Sequence, residues 1–225
     1  MRVQCTLELM RFHWLLLVAL VACSSTFGQS FEAAVGGGQS VFPGNTADIG
    51  TATTDPASGT YKMKDGFRLV FRMAIGQGRF FGHEFGYAYS RTSLDTPAVI
   101  TSAGTGLPGQ TGIVTTIPAQ TMSLPSHQGF YDFLVYGIPE DKRVRPFVAG
   151  GVQFTAFSQP GSQYTNNRET KYGINYGGGI KIRVKDPWGM RLDVRQYNMG
   201  KPFNLPNASG RLLMWEFSGS VSFFL

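Results

Sequence analysis

The chain has 225 residues, of which 42% are hydrophobic and 15% are charged, and it contains 29 glycines and 18 phenylalanines. Charged residues are well below the ~25% typical of soluble domains, which argues against a disordered chain, a coiled coil and an ordinary helical enzyme. The formal net charge of +6 keeps nucleic acid and anionic membrane surfaces among the partners to be considered. Composition therefore favours one all-β domain and leaves its partner open.

The N-terminal segment predicts a secretory signal peptide. Its apolar run, 14–22, follows two arginines and precedes small residues, and it is too short to cross a bilayer as a helix. We expect cleavage after Gly28, which divides the chain into a signal peptide, 1–28, and one domain, 29–225.

Both cysteines of the chain, Cys5 and Cys23, lie in this N-terminal segment. Cleavage after Gly28 would leave the domain without a thiol, which excludes disulfides and cysteine ligands from it. An alternative is cleavage before Cys23, because the sequence 20–23 resembles a bacterial lipoprotein box, and Cys23 would then carry lipid.

The domain is dominated by alternation of apolar with polar or small residues, which is the pattern of β-strands with two unlike faces. In one such segment, Phe67 and Phe71 share a face while Arg68 and Arg72 share the other. Alternation predicts four clear strands, within 67–75, 172–184, 190–195 and 213–225. Weaker patterns predict four more, within 31–41, 79–91, 127–137 and 144–155.

The connections between these eight segments alternate in length. Long connections rich in Thr, Gly and Pro cover 42–65, 92–126, 156–171 and 197–210, whereas short ones cover 76–78, 138–143 and 185–187. An antiparallel up-and-down barrel has this alternation, because its short turns and its long loops lie on opposite rims.

The connection 92–126 is long enough to contain structure of its own. Its runs 98–101 and 113–117 predict a hairpin that projects beyond the barrel. The same runs could instead enter the wall and make ten strands, but Pro97 and the shortness of both runs favour eight.

The two faces of the strands differ in a way that indicates which one points inward. The polar face consists mainly of Gly, Ser and Ala with charges between them, which suits a crowded interior better than a hydrated surface. In a membrane barrel this face lines the lumen and the large apolar side chains face lipid. The predicted lumen charge network comprises Glu32, Arg68, Arg72, Glu84, Asp132, Lys181, Arg183, Arg191, Asp193, Arg195 and Glu216. With six positive and five negative residues, this network is nearly neutral, as buried ions require.

A predicted signal peptide, eight alternating strands, and short turns opposite long loops resemble the small outer-membrane β-barrels of the outer-membrane protein A type. The last segment, 215–225, is similar to the C-terminal signal that the bacterial barrel-assembly machinery recognises, with Gly219, Phe223, Phe224 and Leu225 in the signal positions. It departs from that signal in ending on Leu225, where an aromatic residue is usual.

The resemblance covers the whole predicted domain and implies a transmembrane antiparallel β-barrel in the bacterial outer membrane. It also implies contacts with outer-membrane lipid and with the barrel-assembly machinery. The long loops would then have a structural or surface-interaction role, with an extracellular ligand of unknown identity. An eight-stranded barrel has an interior that side chains can fill, so we do not expect a wide pore.

Aromatic residues near the ends of the predicted strands are interpreted as a girdle at the membrane interfaces. This group consists of Tyr87, Tyr89, Tyr197 and Trp188. His127 is interpreted as a rim residue within the same belt.

No pattern in the domain predicts a catalytic site, a cofactor or a metal, and nucleic-acid binding is not expected because six cations are assigned to the interior. Ser126 and His127 suggest one alternative, a lipid-modifying enzyme similar to lipid A acylases or deacylases, which would need a Ser/His pair converging at one rim. A second alternative is a secreted soluble barrel that binds a small apolar ligand.

Overall fold

The computed structural model describes residues 30–225 except 45, 56–57, 78, 104–112, 140–141 and 159–167. The predicted signal peptide, 1–28, and both candidate cleavage sites therefore lie outside the described residues. Within the described part, no helix is long and apolar enough to cross a membrane.

Extended structure accounts for nearly all of the described chain. The strands are β1 (Phe31–Val41), β2 (Asp48–Thr51), β3 (Thr60–Gln77), β4 (Phe81–Thr96), β5 (Val99–Ala103), β6 (Ile113–Ile117), β7 (Gln120–Tyr136), β8 (Val144–Ser158), β9 (Arg168–Lys185), β10 (Trp188–Gly200) and β11 (Arg211–Phe224). A short 3-10 helix, Pro202–Asn204, lies between β10 and β11.

Eight of these strands form a closed antiparallel ring. Their order is β1-β11-β10-β9-β8-β7-β4-β3, and β3 pairs with β1 to close the barrel. The short strand β2 pairs only with the outer part of β3, and β5 pairs with β6 as a separate hairpin. The prediction of eight wall strands with a separate hairpin in the connection is therefore confirmed, and the alternative of ten is wrong.

The barrel has two unlike rims. The short-turn rim carries the connections β3–β4, β7–β8 and β9–β10 together with the start of β1 and the end of β11. The long-loop rim carries the four remaining connections, including β2 and the β5–β6 hairpin.

Several wall strands extend beyond the predicted segments toward the long-loop rim. The strand predicted within 67–75 is part of the longer β3, whose register with β4 shifts between Lys64 and Phe67. Such a bulge changes which residues point inward. Alternation in the sequence breaks at this point, which is why the predicted segment begins at residue 67 although the strand itself begins earlier.

The orientation of the two faces follows the membrane interpretation. On β3, Phe67 is 56% exposed and Phe71 is 42% exposed, whereas Arg68 and Arg72 are at most 1% exposed. A water-soluble carrier would have the reverse arrangement, with apolar side chains converging inside. Charges are buried in the ring and large apolar side chains cover its outside, as in a barrel that faces lipid.

The interior is packed in layers along the barrel axis. Below the long-loop rim lies an apolar layer of Phe42, Ala47, Ile49, Met63, Leu94, Leu124, Phe157, Tyr197, Met199, Leu212 and Met214. Near the short-turn rim lies a smaller apolar layer of Ala74, Leu134, Tyr136, Phe147 and Ala149. Between these two layers the interior holds charged side chains.

Candidate functional site

The middle of the barrel contains a cluster of buried ions, here called the central ion cluster. Its members are Arg68 and Arg72 on β3, Glu84 on β4, Asp132 on β7, Arg191, Asp193 and Arg195 on β10, and Glu216 on β11. These strands lie on different sides of the ring, so the ion pairs connect the walls across the lumen.

Glu84 accepts contacts from three arginines. Arg191 binds it with both terminal nitrogens, at Nη1–Oε2 2.5 Å and Nη2–Oε1 3.2 Å. Arg195 donates from Nη2 to Oε1 at 2.7 Å, and Nε of Arg72 lies 3.4 Å from the same oxygen. Glu84 on β4 therefore ties β10 and β3 together through its carboxylate.

Asp193 holds the two β10 arginines in position. Arg191 binds it through Nε at 2.8 Å and Nη2 at 2.9 Å, in the two-bond geometry that favours guanidinium–carboxylate pairs. Nη2 of Arg195 lies 3.1 Å from the same carboxylate. Because residues two apart on a strand point to the same face, these three side chains reach the lumen together.

Glu216 on β11 is a further carboxylate of the central ion cluster that accepts contacts from several donors. It pairs with Arg72, and Nε of Arg68 lies 2.9 Å from its Oε2. The hydroxyls of Tyr197 and Ser218 donate to it at 2.8 Å and 2.5 Å.

Asp132 completes the charge balance. It pairs with Arg195 and accepts a hydrogen bond from Asn175. Neutral amides continue the network toward the long-loop rim, where Gln128 accepts from Arg68 and donates to Gln153 at 3.0 Å.

The energetics of this cluster depend on pairing. It contains four arginines and four carboxylates, so it is neutral, and each member is at most 2% exposed. An unpaired ion in this environment would cost several kcal/mol, roughly 3–5 kcal/mol when one partner of a buried pair is removed. Burial of these eight ions in the lumen is therefore favourable only because each has a partner of opposite charge within the cluster.

Glycines on neighbouring strands provide the room for these large side chains. Arg195 faces Gly177 across β10–β9, and Asp132 faces Gly151 across β7–β8. A Cβ at Gly177 would lie 3.0 Å from Cγ of Arg195, and one at Gly151 would lie 2.5 Å from Oδ1 of Asp132. The nearest atoms to either Cβ are backbone oxygens of the facing strand, so a larger residue would collide with that strand as well as with the ion.

Three members of the predicted lumen network lie outside the central ion cluster. Lys181 pairs with Glu32 nearer the short-turn rim, where Ser222 also donates to Glu32 at 2.7 Å. Arg183 lies half-buried at the end of β9, with Nε 3.6 Å from the exposed carboxylate of Asp186. The structure thus brings eight of the eleven predicted residues into one cluster, sets one pair apart, and leaves Arg183 at the rim.

The placement of Tyr197 in the interface girdle is wrong. Its side chain is fully buried inside the barrel, where it donates to Glu216 and lies with its ring centroid 5.0 Å from Cζ of Arg68. Tyr197 has the same parity as Arg191 and Arg195 on β10, so alternation alone would have placed it inside. A tyrosine side chain is typical of the membrane interface, but its position along the strand determines the face on which it lies.

The other aromatic residues assigned to the girdle do lie on the outer face. Tyr87 and Tyr89 flank His127, with ring centroids 6.1 Å and 5.3 Å away, and the Tyr87 hydroxyl is 2.6 Å from Nδ1 of His127. Trp188 packs edge-on against Phe223 at the short-turn rim, with centroids 5.2 Å apart.

Ser126 and His127 do not form a catalytic pair. Ser126 is buried on the lumen side, whereas His127 faces outward against Tyr87, because neighbours on a strand point to opposite faces. Among the described residues, no group of three or more His, Cys, Asp and Glu side chains is arranged to hold a metal ion.

The C-terminal residues predicted as an assembly signal lie along the β1–β11 closure. Gly219 faces Gly37 on β1, and the backbone of Leu225 donates to Phe31 at 2.8 Å. Phe224 lies under the Arg183 guanidinium, with its centroid 5.0 Å from Cζ.

Lys64 and Asp95 form a partly exposed ion pair at the long-loop rim. Asp95 accepts a hydrogen bond from the Thr121 hydroxyl at 2.7 Å and lies 3.0 Å from Nζ of Lys64. The Thr121 hydrogen bond and then the Lys64 ammonium lower the pKa of Asp95 below its usual value. Such solvent-exposed pairs contribute little to stability.

A family model described as the outer membrane protein beta-barrel domain matches residues 15–219. The chain belongs to this outer-membrane β-barrel family. It is therefore a bacterial outer-membrane protein, and in barrels of this kind the short-turn rim faces the periplasm and the long-loop rim faces the cell exterior. No curated protein matches the sequence.

Solved structures share the fold of this outer-membrane barrel at low sequence identity. Neisserial surface protein A is 11% identical, with a TM-score of 0.53, and the match covers 87% of this chain and 96% of that one. The outer membrane protein OprG from Pseudomonas aeruginosa is also 11% identical, with a TM-score of 0.57 and coverage of 87% and 95%. At such identity the likeness shows the fold alone.

Proposed function

We propose that this outer-membrane barrel is a closed, non-catalytic envelope protein that acts through its extracellular loops and does not form a wide pore. The observation that carries the proposal is the filled interior. The apolar layer below the long-loop rim, the central ion cluster and the apolar layer near the short-turn rim follow one another along the axis. A side-chain-filled lumen is what an eight-stranded ring predicts.

Residues of the long connections contribute to the apolar layer below the long-loop rim. Phe42, Ala47 and Ile49 come from the first long connection, and Phe203 and Leu205 come from the last. Their burial against wall residues is driven by removal of apolar surface from water. These connections therefore support a closed extracellular mouth, while the β5–β6 hairpin stands apart from the wall sheet.

Conductance tests the closed lumen. The purified barrel reconstituted in planar bilayers should give no sustained channel steps, and its liposomes should not swell in small sugars, whereas a general porin reconstituted in parallel should do both. Sustained, sugar-permeable channels from the barrel would overturn this part of the proposal.

A hairpin deletion tests the role of the loops. Thr96 and Gln120 are directly paired on β4 and β7, so an Asn-Gly turn can replace 97–119 without altering the wall register. We expect the variant to remain folded and to preserve resistance of the cells to detergent. In an assay of adhesion to host or matrix surfaces, we expect the wild type to adhere and the variant not to. Loss of detergent resistance with unchanged adhesion would instead support a purely structural role.

We also propose that the terminal strand guides assembly through contacts with the barrel-assembly machinery, as its likeness to the C-terminal signal suggests. Phe223→Ala should slow insertion in cells while the purified variant still refolds in detergent, and Leu225→Phe should insert at least as well as the wild type. Normal insertion of Phe223→Ala would contradict this role.

A further inference from the structure

The short-turn rim contains an open pocket whose walls are rich in cations. Arg143, Arg145, Lys181 and Arg183 line it, together with Tyr136 and a single described carboxylate, Glu32. This pocket lies on the periplasmic side of the central ion cluster and shares no residue with it. The described lining of the pocket carries a net positive charge, whereas the central ion cluster is neutral.

Arg145 is one of the two buried cations of this pocket. It is 8% exposed, its Nε donates to the carbonyl of Ile138 at 3.1 Å, and its Nη2 donates to the carbonyl of Arg79 at 2.9 Å. Its Cζ lies 3.4 Å from the centroid of the Tyr136 ring. Among the described residues, no carboxylate lies within ion-pair distance of Arg145, and its hydrogen-bond partners there are neutral carbonyls.

Lys181 shares the same aromatic ring. Its Nζ lies 5.0 Å from the Tyr136 centroid and donates to the Tyr136 hydroxyl at 2.9 Å. Its ionic partner, Glu32, is the only carboxylate in the described lining of the pocket. Two cations thus converge on Tyr136, and of the two only Lys181 has a carboxylate partner among the described residues. Like charges so placed repel unless another anion compensates.

A second pair of cations stands at the edge of the pocket. Arg143 and Arg183 are held together by one backbone and one side-chain hydrogen bond. The Arg183 N–H donates to the Arg143 carbonyl at 2.8 Å, and Nε of the Arg143 side chain donates to the Arg183 carbonyl at 3.3 Å. These contacts fix both residues at the opening of the pocket, where Arg143 is exposed.

We infer that this pocket binds a phosphate group, with Arg145 and Lys181 at its base and Arg143 at its edge. A phosphate suits the arrangement because its several oxygens can accept hydrogen bonds from donors on different strands, whereas a carboxylate offers two. The group can come from the headgroup of an inner-leaflet phospholipid or from free phosphate. Both sources share the tetrahedral oxyanion that the cations would recognise.

Phosphorus NMR tests the site on the barrel purified from outer membranes in dodecyl maltoside and freed of bound lipid. The probes are inorganic phosphate and dihexanoylphosphatidylglycerol below its micelle concentration, titrated at constant ionic strength, and the readout is broadening of the probe signal. The variants are Arg145→Gln and Arg143→Gln. The control is Arg211→Gln, which removes an exposed arginine at the opposite rim.

We expect saturable binding by the wild type, weakened at least about tenfold in Arg145→Gln, since a charge-assisted contact is lost, and unchanged in Arg211→Gln. Tighter binding of the lipid than of phosphate identifies a headgroup site, and equal binding identifies a free-phosphate site. Heat-dependent migration on gels verifies folding of each variant. If Arg145→Gln does not fold, weakened binding by Arg143→Gln is the result that supports the inference. Absence of saturable binding to both probes, or wild-type affinity in the folded pocket variants, would overturn the inference.

Discussion

Arg68 on β3 and Glu216 on β11 form an ion pair across the strand that separates them, with Nε and Oε2 2.9 Å apart. The intervening strand is β1, and the residue of β1 that faces Arg68 is Gly38. A Cβ at Gly38 would collide with the backbone of Phe217 and would lie 2.8 Å from Cβ of Ser218 on β11. Glycine at this position therefore allows β1 and β11 to pair closely beside the ion pair.

The first prediction concerns that glycine. A Cβ at Gly38 would overlap the backbone of Phe217 on β11, whereas one at its neighbour Gly37 would meet nothing nearer than 3.6 Å. We expect Gly38→Ala to lower the free energy of unfolding by about 1–3 kcal/mol, as overpacking does, and Gly37→Ala to change it by less than about 0.5 kcal/mol. Urea titration in lipid vesicles measures both, and equal effects would contradict the packing described.

The second prediction concerns the carboxylate at the centre of the ion cluster. Glu84→Gln removes the charge shared by Arg191, Arg195 and Arg72, and we expect a loss of about 3–5 kcal/mol. The matched control is Asp48→Asn, which removes an exposed partner of Lys62 at 3.7 Å and should cost at most about 1 kcal/mol. The same urea titration applies, and a Glu84→Gln variant as stable as the control would show that the cluster is not tightly paired.

The third prediction concerns the tyrosine inside the barrel. Tyr197→Phe deletes the hydroxyl that donates to Glu216 at 2.8 Å and should cost about 1–3 kcal/mol, because a buried charged acceptor loses a donor. Tyr172→Phe, at a side chain that is 76% exposed, serves as control and should have little effect. Were the two variants equally stable, Tyr197 would have to lie outside the lumen.

The fourth prediction tests depth in the membrane. Phe71 is in the middle of the outward apolar row of β3 and Phe67 is at its outer end. We expect Phe71→Arg to cost about 2–4 kcal/mol and Phe67→Arg about 0–1 kcal/mol, because the cost of a lipid-facing arginine falls toward the interface. Unfolding titrations in vesicles of one lipid compare them, and an equal cost at both depths would contradict the placement of the bilayer.

The alternation of apolar and polar residues predicted the wall of the barrel correctly. The outward position of Phe71, the inward position of Asp132 and the detached hairpin around Val99 all follow from period two and loop length. What alternation could not supply was the bulge after Lys64, since an irregular register leaves no periodic signal.

The pairing partners inside the lumen were less accessible to sequence reasoning. The set of charged residues followed from parity, but the contact between Arg72 and Glu216 joins residues 144 positions apart and depends on the closure of the ring. The apolar layer under the long-loop rim was missed because Ile49 and Leu205 come from connections without a periodic pattern. Arg145 was missed because its strand is apolar on both faces.

The orientation of β3 can be measured directly by a spin-label scan of 67–75 in the barrel reconstituted in vesicles. Residues 29–225 contain no cysteine, so single cysteines can be introduced into a protein that begins at residue 29 without background labelling. Accessibility to oxygen, which concentrates in lipid, should be high at 67, 69, 71, 73 and 75 and low at the positions between them. The opposite alternation, or none, would contradict a barrel with its ions inside and its phenylalanines in lipid.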